Sequence, residues 1–115
     1  MKNGLYSIHV QWLDGVRGRA SGVILLRDGA ILGGDPYFWY KGAYLVQDGS
    51  WKGELVTRQH TPYRDQSVRP VFGGHEVGVG FSGTFADDTA EVFATSLVGK
   101  RSIAFRATLR KIADS

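Results

Sequence analysis

Apolar and polar residues alternate along most of the chain. Between Tyr6 and Trp12 every second residue is apolar, and the residues between them are polar. A period of two is typical of a β-strand that buries one face. Because no segment keeps a helical period for more than one turn, the pattern predicts an all-β protein.

Turn signals separate the alternating segments. Asp28-Gly29 and Asp48-Gly49 are typical two-residue hairpin turns. Further turns are expected at Asp14-Gly15, Asp87-Asp88 and Gly99-Lys100. Segment 61–74 has no period and contains two prolines, so a long irregular connection is predicted there. Eight strands result: 6–12, 17–27, 30–33, 37–46, 51–60, 75–85, 89–98 and 102–111.

Eight short antiparallel strands joined in order can close into an up-and-down barrel, which leaves no free sheet edge. An open sandwich is the alternative. The 115 residues match one domain, so we expect a single barrel domain over 1–115. The alternation directs bulky aromatic residues inward, where they fill the barrel or line a small ligand site: Tyr6, Trp12, Phe38, Tyr40, Trp51, Phe81 and Phe105.

The amino-acid composition excludes some classes of site and function. There is no cysteine, so disulfides and thiolate metal sites are excluded. The sixteen glycines lie within alternating segments, where they mark bends of a curved sheet. The N-terminus alternates instead of forming an apolar signal sequence, and no run is long enough to span a membrane, so a cytoplasmic protein is expected.

Little in the sequence indicates catalysis. His9, His60 and His75 lack a short metal-ligand spacing, and Asp87-Asp88 is a turn-forming pair. The glycine-rich segment 78–83 has no helix after it that could bind a phosphate. We therefore expect no enzyme activity, no metal and no cofactor. A net charge of +3 is small, so nucleic acid binding is not favoured either.

The stretch GGDPYFWYKG, residues 33–42, is the most unusual in the chain. Its two glycines are expected to turn a corner between strands with positive φ angles. After the corner, alternation directs Phe38 and Tyr40 inward. The same alternation leaves Tyr37, Trp39 and Lys41 on the outside. These three outward residues form an exposed strip that we interpret as a candidate protein-contact surface.

Several segments resemble the GrlR-type negative regulators of type III secretion genes. They are Asn3-Gly4-Leu5-Tyr6-Ser7-Ile8, Asp28-Gly29, Gly33-Gly34-Asp35 and Tyr40-x-Gly42. The resemblance covers about the first sixty residues. It implies a lipocalin-like eight-stranded barrel, a homodimer, and inhibition of a helix-turn-helix transcription activator through an acidic run in one loop. That loop corresponds here to Val46, Gln47, Asp48 and Gly49, of which only Asp48 is acidic.

Two function hypotheses follow. The first is a bacterial non-enzymatic regulator that acts by protein contact as a homodimer, with a transcription regulator as its partner. The second is a lipocalin-like carrier whose barrel holds a small apolar ligand. A carrier requires an apolar cavity, whereas a contact regulator requires a filled barrel and an apolar patch outside.

Overall fold

A computed structural model describes residues 1–13, 19–64, 75–98 and 100–115. All regular structure in these ranges is β, and no helix there is long and apolar enough to cross a membrane. The eight predicted strands are confirmed, with ends that differ by a few residues. They are β1 Gly4–Trp12, β2 Arg19–Arg27, β3 Ala30–Gly34, β4 Phe38–Gln47, β5 Ser50–Gln59, β6 Val77–Ala86, β7 Thr89–Val98 and β8 Arg101–Ala113. The predicted turn at Asp14-Gly15, residue Gly99 and most of connection 61–74 lie outside the described residues.

The strands form a closed barrel in sequence order. Each strand pairs antiparallel with the next, and β8 returns to pair with β1, where Ile8 lies opposite Leu109. This closure excludes the open sandwich. Because every strand has two neighbours, the sheet has no unpaired edge at which another chain could add a strand.

Three of the hairpin turns have the backbone conformation that their sequences predict. Asp28 and Gly29 have φ angles of 50° and 86°, and Asp48 and Gly49 have φ angles of 50° and 79°. Positive φ at both central residues is typical of type I′ turns, whose twist matches that of the flanking strands. Asp87, with a φ of 49°, begins the third turn. These turns lie at the same end of the barrel, which we call the hairpin end.

Inward-facing glycines allow the strands to cross closely. A Cβ atom at Gly33 would lie 2.7 Å from Ile24 Cα, and one at Gly42 would lie 2.6 Å from Leu55 Cα. Real Cβ atoms do not approach backbone atoms so closely. The expectation of positive φ at Gly33 and Gly34 was wrong, since neither glycine adopts it. At Gly33 the side chain is excluded by the neighbouring strand rather than by the φ angle.

The barrel interior contains two packed clusters. One lies toward the hairpin end and includes Tyr6, Leu26 and Trp51. The other lies toward the opposite end and consists of Val77, Val79, Ala94 and Phe105. Val10 and Phe81 contact both clusters. Side chains from the two clusters therefore pack along the length of the barrel.

Candidate functional site

Large apolar side chains occupy the outer surface of β2, β3 and β4. Val23, Leu32 and Leu45 are 44%, 56% and 71% exposed. Leu25 lies directly opposite Leu32 across the β2–β3 pair, and Val23 and Trp39 both lie opposite Gly34, whereas Leu45 lies further along β4 toward the hairpin end. We call this surface the apolar face and define it by Val23, Leu25, Leu32, Trp39 and Leu45. Soluble monomers seldom expose a contiguous apolar surface unless it binds something.

Charged residues of both signs lie within and beside the apolar face. Lys41 lies opposite Leu32 across the β3–β4 pair. On β5, Lys52 lies opposite Leu45, and Glu54 follows two residues later on the same face. One acidic group with a basic group beside it allows two copies of the face to pair by opposite charges.

The predicted strip of Tyr37, Trp39 and Lys41 is less exposed than the alternation indicates. Trp39 and Lys41 do lie on the outer face, but only Lys41 is exposed, and Trp39 is half-buried. Tyr37 precedes β4, and its ring packs against Tyr63 with 4.4 Å between ring centroids. Leu32 and Leu45 are exposed instead. Leu45 could have been found from the sequence, because it lies on the same side of β4 as Lys41 and Gln47.

The segment Val46, Gln47, Asp48 and Gly49, which corresponds to the acidic loop implied by the family resemblance, comprises the last two residues of β4 and the β4–β5 turn. All four residues are exposed, and Val46 is 44% exposed. The carbonyl oxygen of Gly49 accepts a 3.0 Å hydrogen bond from the backbone N–H of Phe85, which attaches the turn to β6. The turn is held in place at the hairpin end, next to the apolar face at Leu45.

All seven aromatic residues predicted to face inward lie on the inner side of their strands. Tyr6, Trp51 and Phe105 are buried, and the others are partly buried. Several rings contact one another edge to face: Trp12 with Phe105 at 5.0 Å, Tyr44 with Trp51 at 5.8 Å, and Trp51 with Phe81 at 4.9 Å between centroids. Such contacts contribute to the packing of the barrel interior.

A polar cluster at Asp35 closes the end of the barrel opposite the hairpin end. One carboxylate oxygen of Asp35 accepts hydrogen bonds from the backbone N–H groups of Tyr37 at 2.8 Å and Phe38 at 2.7 Å. The other oxygen accepts a hydrogen bond from the Tyr40 hydroxyl. His60 lies 3.0 Å from the Asp35 carbonyl oxygen through its Nε2 atom. Sequence reasoning missed this cluster, although Asp-Pro before a strand is a frequent turn-capping pattern.

Burial, followed by the hydrogen bond to Asp35, raises the pKa of the Tyr40 phenol far above its ordinary value of 10.0. Burial also raises the pKa of Tyr63, with a further contribution from the Asp35 charge. Both phenols therefore stay protonated at neutral pH. The hydrogen bond that Tyr40 donates to the Asp35 carboxylate stabilises the corner between β3 and β4.

The remaining predicted candidates do not come together. His9 lies on the outer face of β1, His60 lies at the Asp35 cluster, and His75 is exposed before β6. Within the described ranges, no three histidine or acidic side chains are grouped in a way that could hold a metal ion. Asp87 and Asp88 form the β6–β7 turn, as predicted. Asp88 forms an ion pair with Lys2, with 3.2 Å between Asp88 Oδ1 and Lys2 Nζ.

Comparison with other proteins adds no family assignment. Neither the known protein-family models nor the curated protein sequences contain a match to this chain.

Proposed function

We propose that this protein is a non-enzymatic, cytoplasmic regulator that acts through protein contact as a homodimer. The observation that carries the proposal is the apolar face, where three large side chains are 44% to 71% exposed on adjacent strands. Since the barrel has no free sheet edge, contact must be made by side chains rather than by strand addition. The two packed clusters of the barrel interior are consistent with a protein whose function lies on its outside.

A second copy of the chain is the occupant that best fits the apolar face. In a two-fold contact, the same surface is used by both subunits, so it must be complementary to itself. Exposed apolar residues together with charges of both signs on the same surface satisfy this condition. Lys52 of one subunit can face Glu54 of the other, because the two residues lie on the same face of β5.

The regulatory target is a transcription regulator that contacts the β4–β5 turn of the dimer. The resemblance to GrlR-type regulators supports this assignment, because the turn occupies the place of their acidic loop. Asp48 is the one acidic residue in the turn, so the contact depends less on charge than the family's does. Val46, which is 44% exposed, supplies an apolar contact at the same position.

The proposal is tested by purifying three tagged forms of the protein, each from its own cell, and comparing the proteins that co-purify with them. Wild type and Leu97→Lys are expected to recover one DNA-binding regulator in stoichiometric amount, whereas Val46→Lys loses it. Leu97 is a matched control because it is 69% exposed on β7, far from the turn. Recovery of the same regulator with Val46→Lys would exclude the turn, and recovery of no stoichiometric partner with wild type would contradict a regulatory contact.

A carrier function is the second candidate, and one buried hydroxyl favours it. Thr57 is 2% exposed, and its Oγ1 atom has no hydrogen-bond partner among the described residues. It faces the interior between Tyr40 and Val77, its cross-strand neighbours. A ligand with one polar group would satisfy this hydroxyl. Native mass spectrometry tests the idea: a co-purified small molecule that Thr57→Val releases supports a carrier, and an empty barrel contradicts it.

A further inference from the structure

The outer surface of β6, β7, β8 and β1 differs in chemistry from the apolar face, which lies on the other side of the barrel. One row of outward residues crosses all four strands in register, in the order Gln11, Arg106, Phe93, Ser82. The adjacent row is His9, Thr108, Glu91, Thr84. These rows place a guanidinium group, an exposed ring and several hydrogen-bonding groups on one surface.

This surface forms a continuous shallow groove. One part has a volume of about 560 Å³ and includes Arg106 and Phe93. A second part, of about 610 Å³, includes Arg110. The two parts share His9 and Thr108 in their linings and are therefore contiguous. The linings include the outward side chains of His9, Phe93 and Arg106, so the groove lies on the outer surface of the barrel.

Within the described part of the chain, the groove carries more basic than acidic side chains. Arg106 and Arg110 form no ion pair with any residue of 1–13, 19–64, 75–98 or 100–115. Glu91 is the one acidic residue in the lining. Arg106 and Arg110 are four strand residues apart, which corresponds to about 13 Å. Two unpaired cationic groups at this separation fit a ligand that carries repeated negative charges.

The exposed ring of Phe93 indicates that the ligand also carries an aromatic group. It is 47% exposed on β7, directly opposite Arg106 on β8. An exposed ring beside an arginine on a sheet can stack an aromatic base while the arginine binds a phosphate. Gln11 and Ser82, at either end of the same row, can donate and accept hydrogen bonds at base edges.

We propose that the groove across β6, β7, β8 and β1 binds single-stranded nucleic acid, with a base on Phe93 and phosphates on Arg106 and Arg110. The small net charge of +3 did not favour this function at the level of the sequence. The fold favours this function because strand register places Arg106 and Arg110 on the same face as the exposed ring of Phe93. The groove contains no residue of the apolar face, and Phe85 in its lining donates its backbone N–H to Gly49 of the β4–β5 turn.

The test is fluorescence anisotropy of the full chain with labelled oligo(dT) and oligo(U) of about twelve nucleotides, within the range that one small barrel occupies. Wild type is expected to bind at low salt, with an affinity that falls as salt is added. Arg106→Gln should reduce the slope of log affinity against log salt by about 0.7, the value for one phosphate contact on a single strand. Phe93→Ala should weaken binding about tenfold and leave that slope unchanged.

Arg58→Gln is the matched control, because Arg58 is an exposed strand arginine outside the groove, opposite Trp39. It should leave affinity within twofold of wild type, and circular dichroism should show all variants folded. The proposal is overturned if wild type does not bind at low salt, or if Arg58→Gln weakens binding as much as Arg106→Gln. It is also overturned if Phe93→Ala has no effect and poly-glutamate competes equally, since the groove would then be a general anion surface suited to an acidic peptide.

Discussion

Two glycines of β6 are expected to respond to the same substitution with opposite sign. Gly80 faces outward, and a Cβ atom there would meet no described atom within 4 Å. Gly83 faces inward, where a Cβ atom would lie 2.7 Å from the carbonyl carbon of Glu91 and 2.9 Å from Val92 Cα. Both neighbours of Gly83 are backbone atoms of β7, so they cannot rotate away as a side chain would.

The expected changes in the free energy of unfolding follow from these surroundings. Gly80→Ala should raise the free energy of unfolding by about 0.5 kcal/mol, because alanine reduces the freedom of the unfolded chain and strains nothing in the fold. Gly83→Ala should lower it by about 2 to 3 kcal/mol, since the β6–β7 pair must separate to admit the methyl group. The two variants should therefore differ by about 3 kcal/mol, or roughly 1 to 3 M in the urea midpoint.

The assay is urea unfolding followed by circular dichroism, with the slope of free energy against urea compared among the three proteins. Equal slopes make the midpoints directly comparable. Gly80→Ala controls for the general effect of removing a strand glycine. If Gly83→Ala is as stable as wild type, or if both variants shift in the same direction, then β6 and β7 do not approach each other as described and the reasoning is refuted.

Two further predictions concern the Asp35 cluster and the β4–β5 turn. Because the pKa of Tyr40 is raised above 10.0, its contribution to stability is constant below pH 10 and falls as pH rises further, by up to about 1.4 kcal/mol per pH unit. Tyr40→Phe should flatten this alkaline decline in urea unfolding, and an unchanged decline would contradict the raised pKa. Gly49→Ala should lower the free energy of unfolding by about 1 kcal/mol, because an alanine at a φ of 79° is strained even though the space around Gly49 is open. Thermal unfolding measures this difference, and an unchanged stability would argue against the type I′ turn.

The strands and their order were predictable because the information is local. Alternation between Tyr6 and Trp12 decides which side chains are buried, and Asp28-Gly29 decides where the chain reverses. Closure of β8 onto β1 was also predictable, since eight consecutive hairpins leave two edges that pair with each other. The inner side of the barrel followed from the same alternation.

The surface was harder to predict because it depends on which strands become neighbours and how each side chain settles. Alternation correctly placed Trp39 outside, but its half-buried state depends on the packing around it. Likewise, the row of Gln11, Arg106 and Phe93 joins residues far apart in sequence, and only strand register brings them together. The Asp35 to Tyr40 hydrogen bond depends on the exact path of the corner between β3 and β4.

Sedimentation velocity of wild type, Leu45→Lys and Leu97→Lys at micromolar concentration tests the central claim most directly. Leu45 and Leu97 are 71% and 69% exposed, so the two substitutions differ in location rather than in burial. The apolar face predicts that wild type and Leu97→Lys sediment as dimers and that Leu45→Lys sediments as a monomer. A monomeric wild type, or a Leu45→Lys variant that remains dimeric while Leu97→Lys dissociates, would contradict the claim that this protein acts through the apolar face.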